Sequence, residues 1–323
     1  MGLLIKGRWS TDWYGSDEQG RFIREPTKFG GWVTRDGRSG FAAEPGRYHL
    51  YVSHACPWSH RTSLMRKLKG LTDVVSMSSV DPFMGDDGWW FSDAEGAGPD
   101  PIHGAKYLRD VYLKARPDYT GRVTVPVLWD RRENTIVSNA SRDIVRMLDH
   151  EFVDHARGPD YCPEGLEDAI DREIDALYDG VNNAVYLAGF ATTQRAYDEA
   201  VGRLFEALDG YEERLSRQRY LCADVITEAD WFLFVTLVRF DLVYHYHFKC
   251  NLRKISEYPE LYGFLRDLYQ RAGVAETCRL DHIKQHYYRS HPTVNPQRIV
   301  PVGPLLGLNA PHDRGRFGSA PDV

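Results

Sequence analysis

A cysteine and a proline stand together between a strand-like and a helix-like stretch, and this junction constrains the fold more than any other feature. Residues 48–53 read Tyr-His-Leu-Tyr-Val-Ser, an alternating β-prone pattern. Cys56 and Pro57 follow, and leucines then recur at helical spacing over residues 61–71. Proline suits the first position of a helix, where the backbone N–H needs no partner. The sequence therefore predicts a strand, a turn at Cys56 and a helix.

A proline inside a later β-prone run points to the same kind of domain. Residues 123–130 read Val-Thr-Val-Pro-Val-Leu-Trp-Asp, and Pro126 can stand only at an edge or another special position of a sheet. A β-prone run at 74–80 follows the first strand and helix at the spacing of a βαβ unit, and another at 136–139 leads into a stretch with helical periodicity that begins at Ser141. In a thioredoxin-like sheet such a proline is usually cis and adjoins a reactive cysteine. We therefore expect a thioredoxin-like α/β domain with a cis Val125–Pro126 bond.

The remaining pattern predicts a second, all-helical domain and two irregular ends. Apolar residues recur at helical spacing over 165–183, 193–216, 227–248 and 257–272. Thr227 followed by Asp230 is a capping-box pattern at the start of one of these helices. The predicted parts are an irregular arm lying against the folded body (1–45), the α/β domain (46–155) with an insertion at 81–120, the helical domain (165–290) and an extended tail (291–323).

Composition excludes several classes of protein. The 323 residues are 42% hydrophobic and 27% charged, which is typical of a globular chain. A net charge of −6 leaves no basic stripe for nucleic acid. Arg239 and Asp241 interrupt the one long apolar run, so we expect a buried core helix there and no membrane span. We read no signal peptide at the start of the chain.

The five cysteines have no spacing that predicts disulfides or a zinc site, which favours a reducing, cytoplasmic setting. Cys278, His282 and His286 fall at i, i+4 and i+8, so one helix face could present all three. Because no fourth ligand lies nearby in the sequence, we expect no metal.

Cys56 is the cysteine whose position has a chemical reason. At a helix N-terminus, backbone N–H groups and the helix dipole favour the thiolate form. Judged from Cys56 alone, an inert buried cysteine fits the sequence equally well. The Val125–Pro126 pair, which is expected beside Cys56 in a thioredoxin-like sheet, favours a reactive thiol. Ser59 stands where a resolving cysteine would be, so a second thiol molecule would have to resolve a mixed disulfide.

Several segments follow one another in order along nearly the whole chain: SHACPWSHR (53–61), GWWF (88–91), GRVTVPVLWD (121–130), VYLAGFATTQ (185–194), TEADW (227–231), HFKCN (247–251) and HIKQHYY (282–288). In these segments the chain resembles the glutathionyl-hydroquinone reductases, the Xi class of the glutathione transferases. The resemblance implies a thioredoxin-like N-terminal domain, an all-α C-terminal domain and a cytosolic homodimer.

The resemblance also implies catalytic roles. Cys56 would attack the thioether sulfur of an S-conjugated aromatic hydroquinone, and the hydroxyls of Tyr186 and Tyr287 would supply the proton that the ring needs. Tyr288 would be their neighbour in the substrate pocket. Without the resemblance, each tyrosine would be interpreted as an aromatic residue of the core whose hydroxyl has a hydrogen-bond partner. The free hydroquinone would leave, and a second thiol would release Cys56 from its mixed disulfide.

The positions that the resemblance assigns to thiol binding show one departure. Trp89 would pack on the backbone of the thiol, Arg122 would pair with a carboxylate, Val125 would bind through its main chain, and Ser141 lies at a helix N-terminus. The family normally has a Glu-Ser pair there, in which the glutamate holds the ammonium of glutathione, and this chain has Ala140. Losing that partner should cost on the order of 2 kcal/mol or more.

Two thiols remain open as co-substrates. Asp143, or an acidic residue of a dimer partner, could replace the missing carboxylate and keep glutathione as the thiol. Alternatively, the thiol is mycothiol, whose cysteine amine is acetylated. The excess of arginine over lysine, 31 to nine, suggests a GC-rich genome, and mycothiol producers have such genomes.

The aromatic segment 244–247 is expected to line the substrate pocket through Tyr244, Tyr246 and His247. Tyr246 stands where family members usually have a small residue, so it could narrow or reshape a quinone pocket. The leading hypothesis is a thiol-dependent reductase of S-conjugated hydroquinones. The alternatives are an omega-like thiol-disulfide or dehalogenating reductase and, from another class, a non-catalytic thiol-binding protein.

Overall fold

The computed structural model describes residues 2–12 and 14–318, so Met1, Trp13 and the last five residues of the predicted tail lie outside the described residues. The chain divides into two compact units. The α/β unit holds Met1–Tyr14, Arg24–Pro159 and Thr277–Ser290, and the helical unit holds Gly15–Ile23, Asp160–Glu276 and His291–Val323. Residues 277–290, which the sequence places in the helical range 165–290, thus group with the α/β unit.

Within the part of the chain that the structure describes, the strands all lie in the α/β unit. They are β1 (Leu3–Ile5), β2 (Arg8–Ser10), β3 (Tyr48–Val52), β4 (Ser76–Ser79), β5 (Gly121–Arg122), β6 (Val127–Asp130) and β7 (Thr135–Ser138). One sheet has the order β4-β3-β6-β7, in which β3 and β4 are parallel and the other pairs are antiparallel. A smaller sheet has the order β2-β1-β5.

The β-prone run at residues 48–53 contains the predicted strand, β3, and the side chains of this strand do not alternate between buried and exposed. Every residue of β3 is buried, because β3 is an inner strand with β4 and β6 on its two edges and cover on both faces. Helix α1 (Pro57–Leu68) packs on one face, and the ring of Tyr51 packs with Phe91 of the 81–120 insertion on the other. A strand buried on both faces has no polar side to alternate with.

The helices begin where their sequence signals stand. After α1 come α2 (Leu108–Ala115), α3 (Ser141–His150), α4 (Glu167–Leu177), α5 (Ala184–Gly189), α6 (Gln194–Leu215), α7 (Glu228–Arg239), α8 (Pro259–Tyr269) and α9 (Leu280–Ser290). Turns of π-helix extend α4 over Tyr178–Asn182 and α7 over Phe240–Tyr244. The predicted capping box at α7 is confirmed, since the backbone N–H of Thr227 donates to Asp230 at 2.8 Å. Within the described residues, no helix combines the length and hydropathy needed to cross a membrane.

The 81–120 insertion is part of the buried core of the α/β unit. It contributes α2 and a group of buried side chains that pack with the sheet: Met84, Trp89, Phe91, Leu108, Val111 and Tyr112. Cys56 is partly buried against the same cluster. The insertion therefore helps to form the surroundings of the cysteine.

Candidate functional site

Cys56 is the N-cap residue of α1, in an extended conformation with φ −77° and ψ 124°. Its carbonyl oxygen accepts the first helical bond from the N–H of His60 at 2.9 Å, while its side chain is half-buried. The Sγ atom lies 3.8 Å from the carbonyl oxygen of Val125. The Val125–Pro126 peptide bond is cis, which confirms the prediction from the β-run. The sulfur thus lies at a helix N-terminus beside the strand end that carries the cis bond.

Arginines surround the tryptophan that follows the Cys-Pro pair. The guanidinium carbons of Arg24 and Arg61 lie 5.0 Å and 4.5 Å from the ring centre of Trp58. Cation–π contacts of this kind hold positive charge close to an aromatic ring. Two positive charges therefore lie beside Trp58 in the first turn of α1.

Tyr14, which the sequence reasoning missed, comes from the N-terminal arm. Burial raises the pKa of Tyr14, the charges of Arg24 and Arg122 lower it, and the neighbouring Cys56 raises it further. Tyr14 therefore lies within electrostatic range of the cysteine sulfur. The only sequence signal for this was the aromatic richness of the arm, which predicted that it lies against the folded body.

Arg122 ends β5, which pairs with β1. Its side chain is only 9% exposed, and its Nη1 donates to the carbonyl oxygen of Asp12. The guanidinium carbon lies 4.5 Å from the ring centre of Tyr14, and Nε lies 3.8 Å from Oε1 of Glu25. Arg122, to which the resemblance gives the role of binding a ligand carboxylate, is thus enclosed by groups of the N-terminal arm.

Trp89 packs face to face with a histidine of α9. Its indole and the imidazole of His286 stack with centroids 4.8 Å apart, and Nδ1 of His286 lies 2.9 Å from the carbonyl oxygen of Pro82. Tyr287 and Tyr288 follow on the same helix and are each 2% exposed. Helix α9 thereby brings Tyr287 into the same unit as Trp89 and Cys56.

Ser141 is the first residue of α3 and is preceded by Ala140 at the N-cap. The N–H of Ala140 donates to the hydroxyl oxygen of Ser138 at 3.1 Å, and its methyl group offers no carboxylate. Asp143 lies in the first turn of the helix, half-buried. Burial raises the pKa of Asp143, and the charge of Arg142 lowers it.

The other expected pocket residues belong to the helical unit. Tyr186 of α5 is 8% exposed, and its ring centre lies 6.0 Å from that of Tyr244 and 5.5 Å from that of Phe248. Nε2 of His247 lies 3.0 Å from Nδ1 of His291, and both rings are buried. Tyr246, in contrast, is 71% exposed, and the narrowing of a pocket by its ring stays a prediction.

The three residues weighed as metal ligands each have a different partner. Nε2 of His282 lies 2.6 Å from the carbonyl oxygen of Glu95, and Sγ of Cys278 lies 3.9 Å from Nε2 of His60. His286 is held by Pro82 and Trp89, as described above. Cys278 precedes α9, whereas His282 and His286 lie on it, so the single helix face suggested by their spacing does not carry all three.

Comparison with known proteins relates both parts of the chain to one superfamily. The family model described as "Glutathione S-transferase, N-terminal domain" matches residues 55–151, and that described as "Glutathione S-transferase, C-terminal domain" matches residues 194–267. The thioredoxin-like and all-helical architecture predicted from the sequence is thereby confirmed.

Three similar proteins span nearly the whole chain. The glutathionyl-hydroquinone reductase YqjG of Escherichia coli is 51% identical over 98% of this chain and 100% of its own. The glutathionyl-hydroquinone reductase PcpF of Sphingobium chlorophenolicum is 50% identical over 95% of this chain and 98% of its own. The structure of a Xi class glutathione transferase from Natrialba magadii, 51% identical, superimposes with a TM-score of 0.93 over 98% of this chain and 97% of that chain. The glutathione-bound structure of YqjG gives a TM-score of 0.91 over 98% of this chain and 100% of that chain.

Proposed function

The chain belongs to the glutathionyl-hydroquinone reductases of the Xi class of glutathione transferases, and from this premise we propose that it cleaves S-conjugated hydroquinones through Cys56. The observation that carries the proposal is the position of Cys56, half-buried at the N-cap of α1 and 3.8 Å from the Val125 carbonyl oxygen. This position favours a thiolate and leaves it accessible to a substrate sulfur.

The reaction uses two thiol groups in turn, first that of Cys56 and then that of a free thiol molecule. The thiolate of Cys56 attacks the thioether sulfur of the conjugate, so an S–S bond forms while the bond from that sulfur to the ring carbon breaks. The electron pair of the broken bond stays on the ring carbon, which takes up one proton and leaves as the free hydroquinone. A second thiolate then attacks the mixed disulfide, which releases Cys56 as a thiolate and forms the symmetrical disulfide.

We assign to tyrosine hydroxyls the role of supplying the proton in the first step. A ring carbon is a poor leaving group unless it is protonated as the C–S bond breaks, and a positioned hydroxyl can provide this proton. We assign the role to Tyr186 and Tyr287, both largely buried, because a phenol hydroxyl is a hydrogen-bond donor that carries a proton it can give to the ring carbon. Tyr288, Tyr244 and His247 are assigned to the substrate pocket.

Glutathione is the thiol that we propose first. A similar structure is described as glutathione-bound, and Trp89, Arg122, Val125 and Ser141 are assigned to holding the thiol. Mycothiol is the second candidate, because Ala140 leaves the N-cap of α3 without a carboxylate for an ammonium group. Asp143 in the first turn is the residue that would fill this role if glutathione is used.

We also propose that the protein works as a cytoplasmic homodimer that binds neither nucleic acid nor membranes. All five cysteines lie in the described part of the chain and none of them forms a disulfide, which suits a reducing compartment. The net charge of −6 disfavours binding to phosphate backbones.

The test compares wild type with Cys56→Ala on S-glutathionyl menadiol, with glutathione or mycothiol as the second thiol. Cys278→Ala, which removes another half-buried cysteine of the same unit, is the matched control. We expect wild type and the control to release menadiol and the Cys56 variant to release none. Intact-mass measurement after a single turnover should show one thiol on wild type.

Three outcomes would contradict the proposal in different ways. No cleavage with either thiol, together with thiol binding, would favour the non-catalytic protein. Reduction of small mixed disulfides or dehalogenation without thioether cleavage would favour the omega-like reductase. An active Cys56→Ala variant would show that another group is the nucleophile.

A further inference from the structure

The N-terminal arm supplies Arg122 with a negative partner of its own. Glu25 places Oε1 3.8 Å from Nε of the arginine, and the arm also covers the guanidinium with the Asp12 carbonyl and the Tyr14 ring. The arginine side chain is 9% exposed, whereas that of Glu25 is 41% exposed. The cation is therefore nearly buried while its carboxylate partner remains open to solvent.

We propose that Glu25 determines thiol specificity by competing with a ligand carboxylate for Arg122. This inference rests on the proposed function, since it assumes that a thiol binds at Cys56. With Glu25 in place, the charge of Arg122 is already balanced. A thiol that ends in a carboxylate has to displace Glu25, whereas a thiol with a neutral end does not.

The reach of a thiol from Cys56 supports this competition. Arg122 lies three residues before Val125, whose carbonyl oxygen is 3.8 Å from the cysteine sulfur. Three extended residues span about 10 Å, which is also the reach of a tripeptide-sized thiol. Tyr14 connects the two points, because its ring stacks on Arg122 and it lies within electrostatic range of Cys56. A carboxylate at the far end of such a thiol can therefore reach the guanidinium.

The geometry of the ion pair indicates that Glu25 weakens the binding of a ligand carboxylate to Arg122 without preventing it. The ion pair is long and exposed on the carboxylate side, and pairs of this kind are weak and screened by salt. A ligand carboxylate that binds the guanidinium through two oxygens would form the stronger pair. Removing the charge of Glu25 should therefore strengthen binding of an acidic thiol by about two- to fivefold.

The experiment measures binding without turnover, in full-length chains carrying Cys56→Ser. Calorimetric Kd values are compared for glutathione and for its monoethyl ester on the glycine carboxylate, with and without Glu25→Gln. The control is Glu44→Gln, because Glu44 is similarly exposed and pairs with Arg132 in the same unit. We expect Glu25→Gln to lower the Kd of glutathione by about two- to fivefold and to leave that of the ester unchanged. The gain should shrink at high salt.

Equal shifts for both thiols, no shift for either, or no binding of either thiol to any variant would overturn the inference. A matching gain in Glu44→Gln would also overturn it, because the effect would then come from net charge alone. Since no cleavage is measured, the expected shift would stand even if wild type failed to cleave S-glutathionyl menadiol. That failure would count against the proposed reaction only.

Discussion

The indole of Trp89 and the imidazole of His286 stack with their centroids 4.8 Å apart and their planes inclined by 21°. Trp89 belongs to the 81–120 insertion and His286 to α9, so the contact joins segments almost 200 residues apart in the chain. The carbonyl oxygen of Pro82 fixes the imidazole from its Nδ1 side. His286 therefore sets the orientation of the tryptophan that we assign to thiol binding.

Replacing His286 should weaken thiol binding with little effect on the chemical step. His286→Ala removes the stacked partner, and aromatic pairs contribute enough that the KM for glutathione should rise by about two- to tenfold. His286→Phe keeps a stacked ring and should raise KM less. Steady-state kinetics with varied glutathione measure the effect, and thermal unfolding controls for lost stability. A KM that is unchanged in both variants would contradict the positioning role.

Removing either tyrosine hydroxyl should slow the first half-reaction. In Tyr186→Phe and in Tyr287→Phe we expect single-turnover release of hydroquinone to fall by roughly a hundredfold, the scale of general acid catalysis. The control is Tyr48→Phe, which also loses a hydroxyl hydrogen bond, to the carbonyl oxygen of Ala42 at 2.7 Å, but plays no part in the proposed site. Reduction of a preformed mixed disulfide at Cys56 should be unaffected, since that step protonates no carbon. Equal slowing of both half-reactions would argue for a structural role.

Local patterns in the sequence were sufficient to predict the strand–helix junction at Cys56, the cis bond before Pro126 and the start of α7 after Thr227. Each of these depends on residues within a few positions of one another. A helix N-terminus needs a cap and a tolerated proline, and a proline within a β-run restricts the strand wherever the chain goes.

Contacts between segments that are far apart in the chain, in contrast, have no local sequence pattern that predicts them. The sequence could not show that α9 groups with the α/β unit, because its His and Tyr residues fit either domain equally well. Nor could it show that the glycine-rich insertion supplies Trp89 to the core, or that Glu25 lies 3.8 Å from Arg122. Contacts between residues almost 100 positions apart depend on the packed fold and not on spacing.

Restoring a carboxylate at the N-cap of α3 should tighten binding of a thiol that carries an ammonium group. In the Cys56→Ser background, we expect Ala140→Glu to lower the Kd of glutathione by about tenfold. N-acetylglutathione, which has no ammonium group, should gain nothing. Ala140→Gln is the neutral control for size. An equal gain with glutamine would show that the side chain acts through packing, and the missing charge would then not explain thiol choice.

A buried histidine beside the sheet gives the α/β unit an acid-sensitive stability. His49 of β3 is 1% exposed, and its ring nitrogens lie 2.7 Å and 2.8 Å from the hydroxyl oxygens of Ser76 and Ser78 in β4. Burial and, to a smaller extent, the charge of Arg131 lower the pKa of His49 to about 4. The folded protein therefore keeps the ring neutral at a pH where the unfolded chain has taken up a proton.

The sign of the pH dependence follows from this lowered pKa. The unfolded histidine titrates near pH 6.5, so its protonation begins to favour the unfolded state below that pH, and the loss continues down to about pH 4. Over this window wild type should lose about 3 kcal/mol more free energy of unfolding than His49→Gln, which keeps a donor and an acceptor without a titrating ring. Urea unfolding at pH 7, 5.5 and 4 measures the difference. Parallel pH curves for the two proteins would show that protonation of His49 does not destabilise the fold.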